Sequence, residues 1–293
     1  MSEPTGPETS PETSRDVGEA MTELFAFLRR RISGDYEIDE FGFDPEFHDK
    51  VLLELLRPLY RHWFRVETLG VANVPVDSGA LVVANHSGTL PLDALMLQVA
   101  SHDEAGRAVR LLGAHLVYQL PMLGHLARKG GHTLACPEDA DRLLRKGELV
   151  GVFPEGFKGI GKPFSERYRL QRFGRGGFVT SAIRAGVPIV PCSIVGAEEI
   201  YPKIGEVPVL ARMLGLPYLP ITPFFPWLGL FGLVPLPSKW LIEFGEPIRT
   251  DEFDPEQADD PAVIFELTDH IRETMQQRLN DVRLRRGPAF QPF

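Results

Sequence analysis

Asn85-His86-Ser87-Gly88 follows an apolar run that ends at Ala84, and Pro91-Leu92-Asp93 opens the next helical pattern. Histidine is the side chain that accepts a proton near neutral pH without special tuning. A carboxylate held against its second ring nitrogen fixes the tautomer and stabilises the imidazolium that forms. Such a pair suits activation of a hydroxyl attacking a thioester, because the hydroxyl is far too weak an acid to ionise unaided. His86 falls at the carboxyl end of a predicted strand, the edge at which open α/β sheets bind ligands. The plainer alternative is a strand-end histidine and an acid that merely suits a helix N-terminus.

Gly151-Val152-Phe153-Pro154-Glu155-Gly156-Phe157-Lys158 repeats the arrangement. An apolar strand runs into a proline–glycine turn that leaves Glu155 at its mouth. Between Gly156 and Gly176 lie six basic residues, Lys158, Lys162, Arg167, Arg169, Arg172 and Arg175, against one acid, Glu166. Arginine forks pair with phosphate oxygens and glycines admit close backbone approach, so the stretch reads as a phosphate or coenzyme A site. A solvated basic loop is the other reading. Gly156 to Lys162 also fits the first seven positions of a nucleotide-binding loop, but Pro163 stands where a Ser or Thr must hold magnesium, and that reading is rejected. No HExxH, paired CxxC or GxSxG occurs. Cys136 and Cys192 read as structural, although the helix start beside Pro137 could lower the Cys136 thiol pKa.

These groups need a scaffold. β-rich runs at 65–69, 80–84, 109–113, 148–153, 187–195 and 240–244 alternate with helical patterns near 92–100, 121–127, 137–146, 174–185 and 255–285. Strand alternating with helix predicts the α/β class: a mainly parallel central sheet, with a mixed one also open, flanked by helices. Two N-terminal helices precede it. Val17, Met21, Leu24, Phe25, Leu28 and Ile32 fall at helical spacing before Gly34, and Asp44-Pro45-Glu46 starts a second helix ending near Phe64. Arg29-Arg30-Arg31 ends the first, where cations suit the helix dipole or would meet anionic lipid. The predicted organisation is an acidic tail over 1–14, helices over 15–64, the main domain over 65–286 and a tail over 287–293.

Of 293 residues, 43% are hydrophobic and 24% charged, which excludes a wholly disordered or polytopic membrane chain. The net charge of −9 argues against a nucleic-acid partner, and two cysteines give no disulfide framework or zinc pattern, so a reducing compartment is expected. The first 14 residues contain no Lys or Arg, lack the regions of a signal peptide and are expected to be disordered. Residues 213–238 carry no charge and include Phe224, Phe225, Trp227 and Phe231. Their length matches a bilayer span, but Pro217, Pro220, Pro223, Pro226, Pro235 and Pro237 interrupt it, so it is not expected to cross. It is either a buried proline-rich excursion or an interfacial loop that walls an acyl-chain pocket.

Taken together, these residues resemble the glycerolipid acyltransferase family, the PlsC-like lysophosphatidate and lysophospholipid acyltransferases, over about residues 65–248. Asn85-His86 with Asp93 resembles the catalytic His–Asp block. Phe153-Pro154-Glu155-Gly156 matches the acceptor-binding block, with Lys158 where the family usually carries Arg. Phe173-Gly174-Arg175-Gly176-Gly177-Phe178 resembles the third block and Val187-Pro188-Ile189-Val190-Pro191 the fourth. The departure is spacing: the family's H-x4-D becomes six intervening residues here, with Pro91 where the acid would stand. That looks more like divergent bacterial members, including diacylglycerol acyltransferase-like ones.

The resemblance implies transfer of a fatty acyl group from acyl-CoA or acyl carrier protein to a lipid hydroxyl, with His86 as general base and Asp93 as its orienter. Glu155 would organise the acceptor or the turn, and Lys158, Arg172 and Arg175 would hold phosphate. No metal or redox cofactor is implied. A neutral acceptor such as diacylglycerol or a long-chain alcohol is an alternative, and so is a non-catalytic lipid- or acyl-binding protein, which the longer spacing favours. The expected setting is peripheral, on the cytoplasmic membrane surface at its inner face, with 213–238 and then 16–32 as contacts.

Overall fold

The computed structural model describes residues 12–290 except Pro121, so residues 1–11 of the predicted acidic tail and 291–293 of the C-terminal tail lie outside the described residues. The first helix runs Glu12–Ser33 and takes in the last three residues assigned to that tail. Asp44 caps the second, accepting from the Phe47 amide at 2.9 Å. That helix is continuous over residues 45–63 but widens to π-type turns at His48–Leu53 and Leu59–Trp63. The second of these follows Pro58, which has no amide hydrogen to give the ladder.

The alternating strand and helix patterns become a seven-stranded sheet. Its strands are β1 (Glu67–Leu69), β2 (Ala80–Ala84), β3 (Val109–Gly113), β4 (Thr133–Leu134), β5 (Leu149–Val152), β6 (Ile189–Val195) and, after a separate two-stranded ribbon of β7 (Gly205–Glu206) and β8 (Pro220–Ile221), β9 (Leu241–Phe244). The order is β1-β9-β6-β2-β5-β3-β4. β6–β9 is the antiparallel pair within it; the other five described pairings are parallel. The sheet is thus mainly parallel and mixed at one side. β2 to β6 point the same way, which brings their carboxyl ends to one edge.

Both faces of the sheet are buried, and β2 shows why the sequence reads as continuous apolar. Val82 and Ala84 face one layer with Leu53 and Leu56 of the second helix, Phe64 just after it, and Met96 and Leu97 of the Leu92–Asp103 helix. Leu81 and Val83 face the other with Leu143 and Leu144, Val179 and Ile183, and Ile271, Met275 and Leu279. This period of two with helices on both sides is what parallel sheets require.

Differences from expectation lie in short or broken elements. The two-residue β4, the ribbon and the His115–Gln119 helix have no counterpart among the predicted elements. The predicted 121–127 helix is Leu123–Lys129. The predicted 255–285 helix divides into a turn at Pro255–Asp259 and a helix at Pro261–Arg286, because Pro261 pushes Asp260 out of helical geometry and makes it a cap. Arg30 and Arg31 form ion pairs with Glu46 and Asp44, so two of the three arginines expected to meet lipid are already neutralised.

Candidate active site

β2 delivers the His86 loop. Asn85, fully buried, pins the strand's end to β6: its side chain donates to the Ile194 carbonyl at 2.9 Å and accepts from the Ile194 amide at 2.7 Å. The chain then leaves the sheet. Gly88 has φ +74, and a Cβ there would meet the Ala197 carbonyl at 3.0 Å, so the bend needs glycine. The extra residues of the long His–Asp spacing form this loop, and the contact closes despite them: His86 Nδ1 lies 2.8 Å from Asp93 Oδ2.

Asp93, fully buried in the first turn of the Leu92–Asp103 helix, is fixed by backbone donors. Ser87 N donates to Oδ2 and Ala94 N to Oδ1, each at 2.8 Å. As a carboxylate it can only accept, so Nδ1 carries the ring hydrogen and Nε2 is left as the basic nitrogen. The His86 side chain keeps 14% of its surface exposed, and its ring packs on Phe153 at 4.6 Å between centroids. Thus a tautomer-fixed imidazole stands at the carboxyl edge with its second nitrogen available.

β5 delivers the second turn. Glu155 is buried and both its oxygens serve the protein: Oε1 accepts from His86 N at 2.9 Å and Oε2 from Gln171 N at 2.6 Å. Of the two roles expected, this geometry matches holding the turn. Gly156 (φ +53) reverses the chain into the short Phe157–Ile160 helix, which comes close enough that a Cβ on Gly159 would sit 2.7 Å from Glu155 Cβ and 2.8 Å from the His86 carbonyl. Pro154 O accepts from Gly174 N at 3.1 Å, tying the Arg172–Arg175 stretch to the same turn. Lys158, Arg172 and Arg175 are exposed and have no ion-pair or side-chain hydrogen-bond partner among the described residues.

Lys162 departs from the expected cationic cluster. It turns inward, 3.6 Å from Glu155 Oε2 and 3.0 Å from Glu198 Oε1, and donates to the Arg169 carbonyl. The buried lysine is therefore a counter-ion for the turn, which also removes any likeness to a nucleotide-binding loop. Burial pushes the Glu198 carboxyl up to about 7, against the lowering pull of Lys162 and of the Tyr168 amide. Glu198 gave no signal in the sequence. Neither did Tyr218, which donates to the Thr89 carbonyl of the His86 loop at 2.7 Å, although it is the only tyrosine in the uncharged segment. The Cys136 thiol is raised by burial rather than lowered by its helix start; the buried Cys192 thiol is raised likewise.

The uncharged segment lies beside this site and does not form the buried excursion that was one expectation. Trp227 is 72% exposed and Phe231 82%, with Phe224, Leu228 and Leu230 also exposed. It is moored by Tyr218, by Trp63 Nε1 donating to the Pro235 carbonyl and by the Tyr201 hydroxyl donating to the Leu233 carbonyl. Among the described residues no helix is long and apolar enough to cross a membrane.

Fold and site together define an acyltransferase-type α/β domain, and comparison with known proteins agrees. A family model described as Acyltransferase matches residues 65–195. An uncharacterized protein of Mycobacterium tuberculosis is 60% identical over 269 residues, covering 91% of this chain and 75% of that protein. A Gallus gallus protein named "DGAT1/2-independent enzyme synthesizing storage lipids" is 29% identical over 192 residues, 65% of this chain and 54% of that one. The crystal structure of the 1-acyl-sn-glycerophosphate acyltransferase PlsC from Thermotoga maritima superposes with a TM-score of 0.53 at 19% identity, covering 80% of this chain and 79% of that one; it shares the fold. The chain belongs to the acyltransferase family whose model matches residues 65–195.

Proposed function

We propose that the protein transfers a fatty acyl group from a thioester, acyl-CoA or acyl carrier protein, to the hydroxyl of a lysophosphatidate or other lysophospholipid. The observation that carries this is the 2.8 Å contact between His86 Nδ1 and Asp93, which leaves Nε2 as a base at the sheet's ligand-binding edge. Nε2 takes the acceptor hydroxyl proton as the oxygen attacks the thioester carbonyl. The tetrahedral intermediate then expels the thiolate, which takes that proton back from the imidazolium. Asp93 holds the ring and stabilises its charged form, while Glu155 fixes the His86 backbone. Lys158, Arg172 and Arg175, free of acidic partners among the described residues, supply charge for phosphate groups of acceptor or donor. A lipid acceptor places the reaction at a membrane surface, in a peripheral setting on its cytoplasmic face.

A second reading, acylation of a neutral acceptor such as diacylglycerol, is favoured by the likeness to the Gallus gallus protein named for storage-lipid synthesis. There the cations serve the coenzyme A phosphates alone. The non-catalytic reading loses its main support, since the longer spacing does not open the His–Asp contact.

Thiol release from acyl-CoA, followed with lysophosphatidate, other lysophospholipids and diacylglycerol as acceptors, separates these readings. His86→Ala is expected to lower transfer by ~10²–10⁴ while the protein stays folded. Near-normal turnover in a folded His86→Ala protein would remove His86 from the mechanism. No thiol release with any acceptor would leave acyl or lipid binding as the function.

A further inference from the structure

The carboxyl ends of β6, β2, β5 and β3 stand side by side along one edge of the sheet. The two inner ends lead into the His86 loop and the Glu155 turn. The outer ones lead into chain with unusual surfaces: β6 to the uncharged excursion, β3 to the paired short helices His115–Gln119 and Leu123–Lys129. On that second flank Met122 is 79% exposed, and Leu120, Leu123 and Leu126 are exposed with it. On the first flank Phe224, Trp227, Leu230 and Phe231 are exposed. Leu90, in the His86 loop, and Phe157, after the Glu155 turn, continue the apolar character between them. Three inter-strand steps separate β6 from β3, roughly 14 Å at the sheet.

Grouped apolar side chains of this size are rare on a soluble surface and mark a contact. Charge decides what kind. The turn between the flanks carries Lys158 and leads through Gly174 to Arg172 and Arg175, exposed cations with no acidic partner among the described residues, within a chain of net charge −9. Apolar groups interleaved with unneutralised cations complement a bilayer whose headgroups are anionic. One apolar contact would leave the domain free to swivel; two on opposite sides of the site fix the edge against the surface.

We propose that the protein seats on an anionic bilayer through two apolar feet, the helix pair around Met122 and the excursion around Trp227 and Phe231, so that the edge bearing His86 faces the lipid. The seat deepens the lipid-acceptor reading and draws its purpose from it, but it is tested without turnover. In a Cys136→Ser background, an environment-sensitive fluorophore is attached at Met122→Cys, at Phe231→Cys or, as a control on the opposite edge, at Ser78→Cys. Vesicles of phosphatidylcholine with phosphatidylglycerol are expected to blue-shift the first two labels and leave the third unchanged, with high salt weakening the shifts. Changing Leu123 and Leu126 together to Ser is expected to lower vesicle partition about tenfold, with circular dichroism unchanged. A silent Met122 label, or equal shifts at all three positions, would overturn the seat. So would a shift that appears on raising protein concentration without vesicles, which would make a second copy of the chain the occupant. Transfer to a short-chain, monodisperse acceptor is measured alongside; its loss with vesicle binding intact counts against the reaction and not against the seat.

Discussion

Lys162 and Glu198 face each other at 3.0 Å in a buried pocket behind Glu155, the carboxylate that holds the His86 amide. Their ion pair links the site to the short turn after β6, where Glu198 also accepts from Tyr168 N at 2.9 Å. Burial outweighs these partners and raises Glu198 from an ordinary value near 4.5 to about 7. A raised folded-state pKa stabilises fully below the unfolded value and is lost as pH rises through the folded one. Between pH 4.5 and 7 this amounts to about 3 kcal/mol. Glu198→Gln, which mimics the protonated acid, is therefore expected to match the wild type near pH 4.5 and to melt higher at pH 8. Thermal melts across that range check it; a variant less stable at pH 8 would show that the pair with Lys162 outweighs the burial.

Gly159 is a steric requirement of the site rather than of the turn itself. Its φ is not left-handed, yet a Cβ would press on Glu155 Cβ at 2.7 Å and the His86 carbonyl at 2.8 Å. Gly159→Ala is expected to destabilise by about 1–3 kcal/mol through overpacking and to reduce kcat by displacing the His86 backbone. Gly177→Ala, where nothing lies within 4 Å of the added carbon, is the control and is expected to leave both unchanged. Equal effects of the two substitutions would refute this account.

Arg175 sits one residue from Gly174, whose amide donates to the Pro154 carbonyl, and it is exposed. Removing its fork is expected to raise KM for a phosphorylated substrate, with Arg175→Ala worse than Arg175→Lys because the bidentate geometry goes as well as the charge. If KM rises for lysophosphatidate but not for diacylglycerol at fixed acyl-CoA, the cation serves the acceptor. If KM for acyl-CoA rises with either acceptor, it serves the donor. Unchanged KM for both substrates would remove Arg175 from the site.

What the sequence disclosed and what it hid divide along physical lines. β2 was legible to the residue because a fully buried strand is a short apolar run with sharp ends; β3, buried over its first three residues and carrying Arg110, matched its predicted bounds as well. His86 and Asp93 were legible as a pair because a motif survives a change in spacing that a loop can absorb. Lys162 was not, since nothing local distinguishes it from Lys158; only the tertiary course of the chain turns one inward to Glu155 and Glu198 and leaves the other in solvent. The neutralisation of Arg30 and Arg31 likewise depends on acids more than a dozen residues away. The apolar flank at Met122 carries no sequence signature, because four exposed residues around a tight turn have no periodicity.

Acid sensitivity should come from two buried histidines, His48 in the second helix and His132 just before β4. His48 and His132 are held by burial at about 4, well below their ordinary 6.5. The neighbours of His48 do not relieve this: His102 lies 5.8 Å away ring to ring, Arg110 and Arg57 add positive charge, and Asp49 offsets them in part. His132 meets Gln98 Oε1 at 3.0 Å, a neutral partner, while His48 Nε2 is buried without one. A depressed pKa stabilises above the unfolded value and is lost as pH falls, so each histidine removes about 3 kcal/mol between pH 6.5 and 4. Where the two windows overlap, from pH 4.5 to 6.5, the loss opposes the gain from Glu198 and exceeds it, because two groups act against one. The wild type is expected to melt lower at pH 4.5 than at pH 6.5. His48→Phe, which keeps a ring against Phe43 and sacrifices no hydrogen bond at Nε2, should flatten that slope. Melting curves for both proteins from pH 4 to 8 decide it: a displacement of equal size at every pH would mean that packing, and not protonation of His48, governs the acid limit.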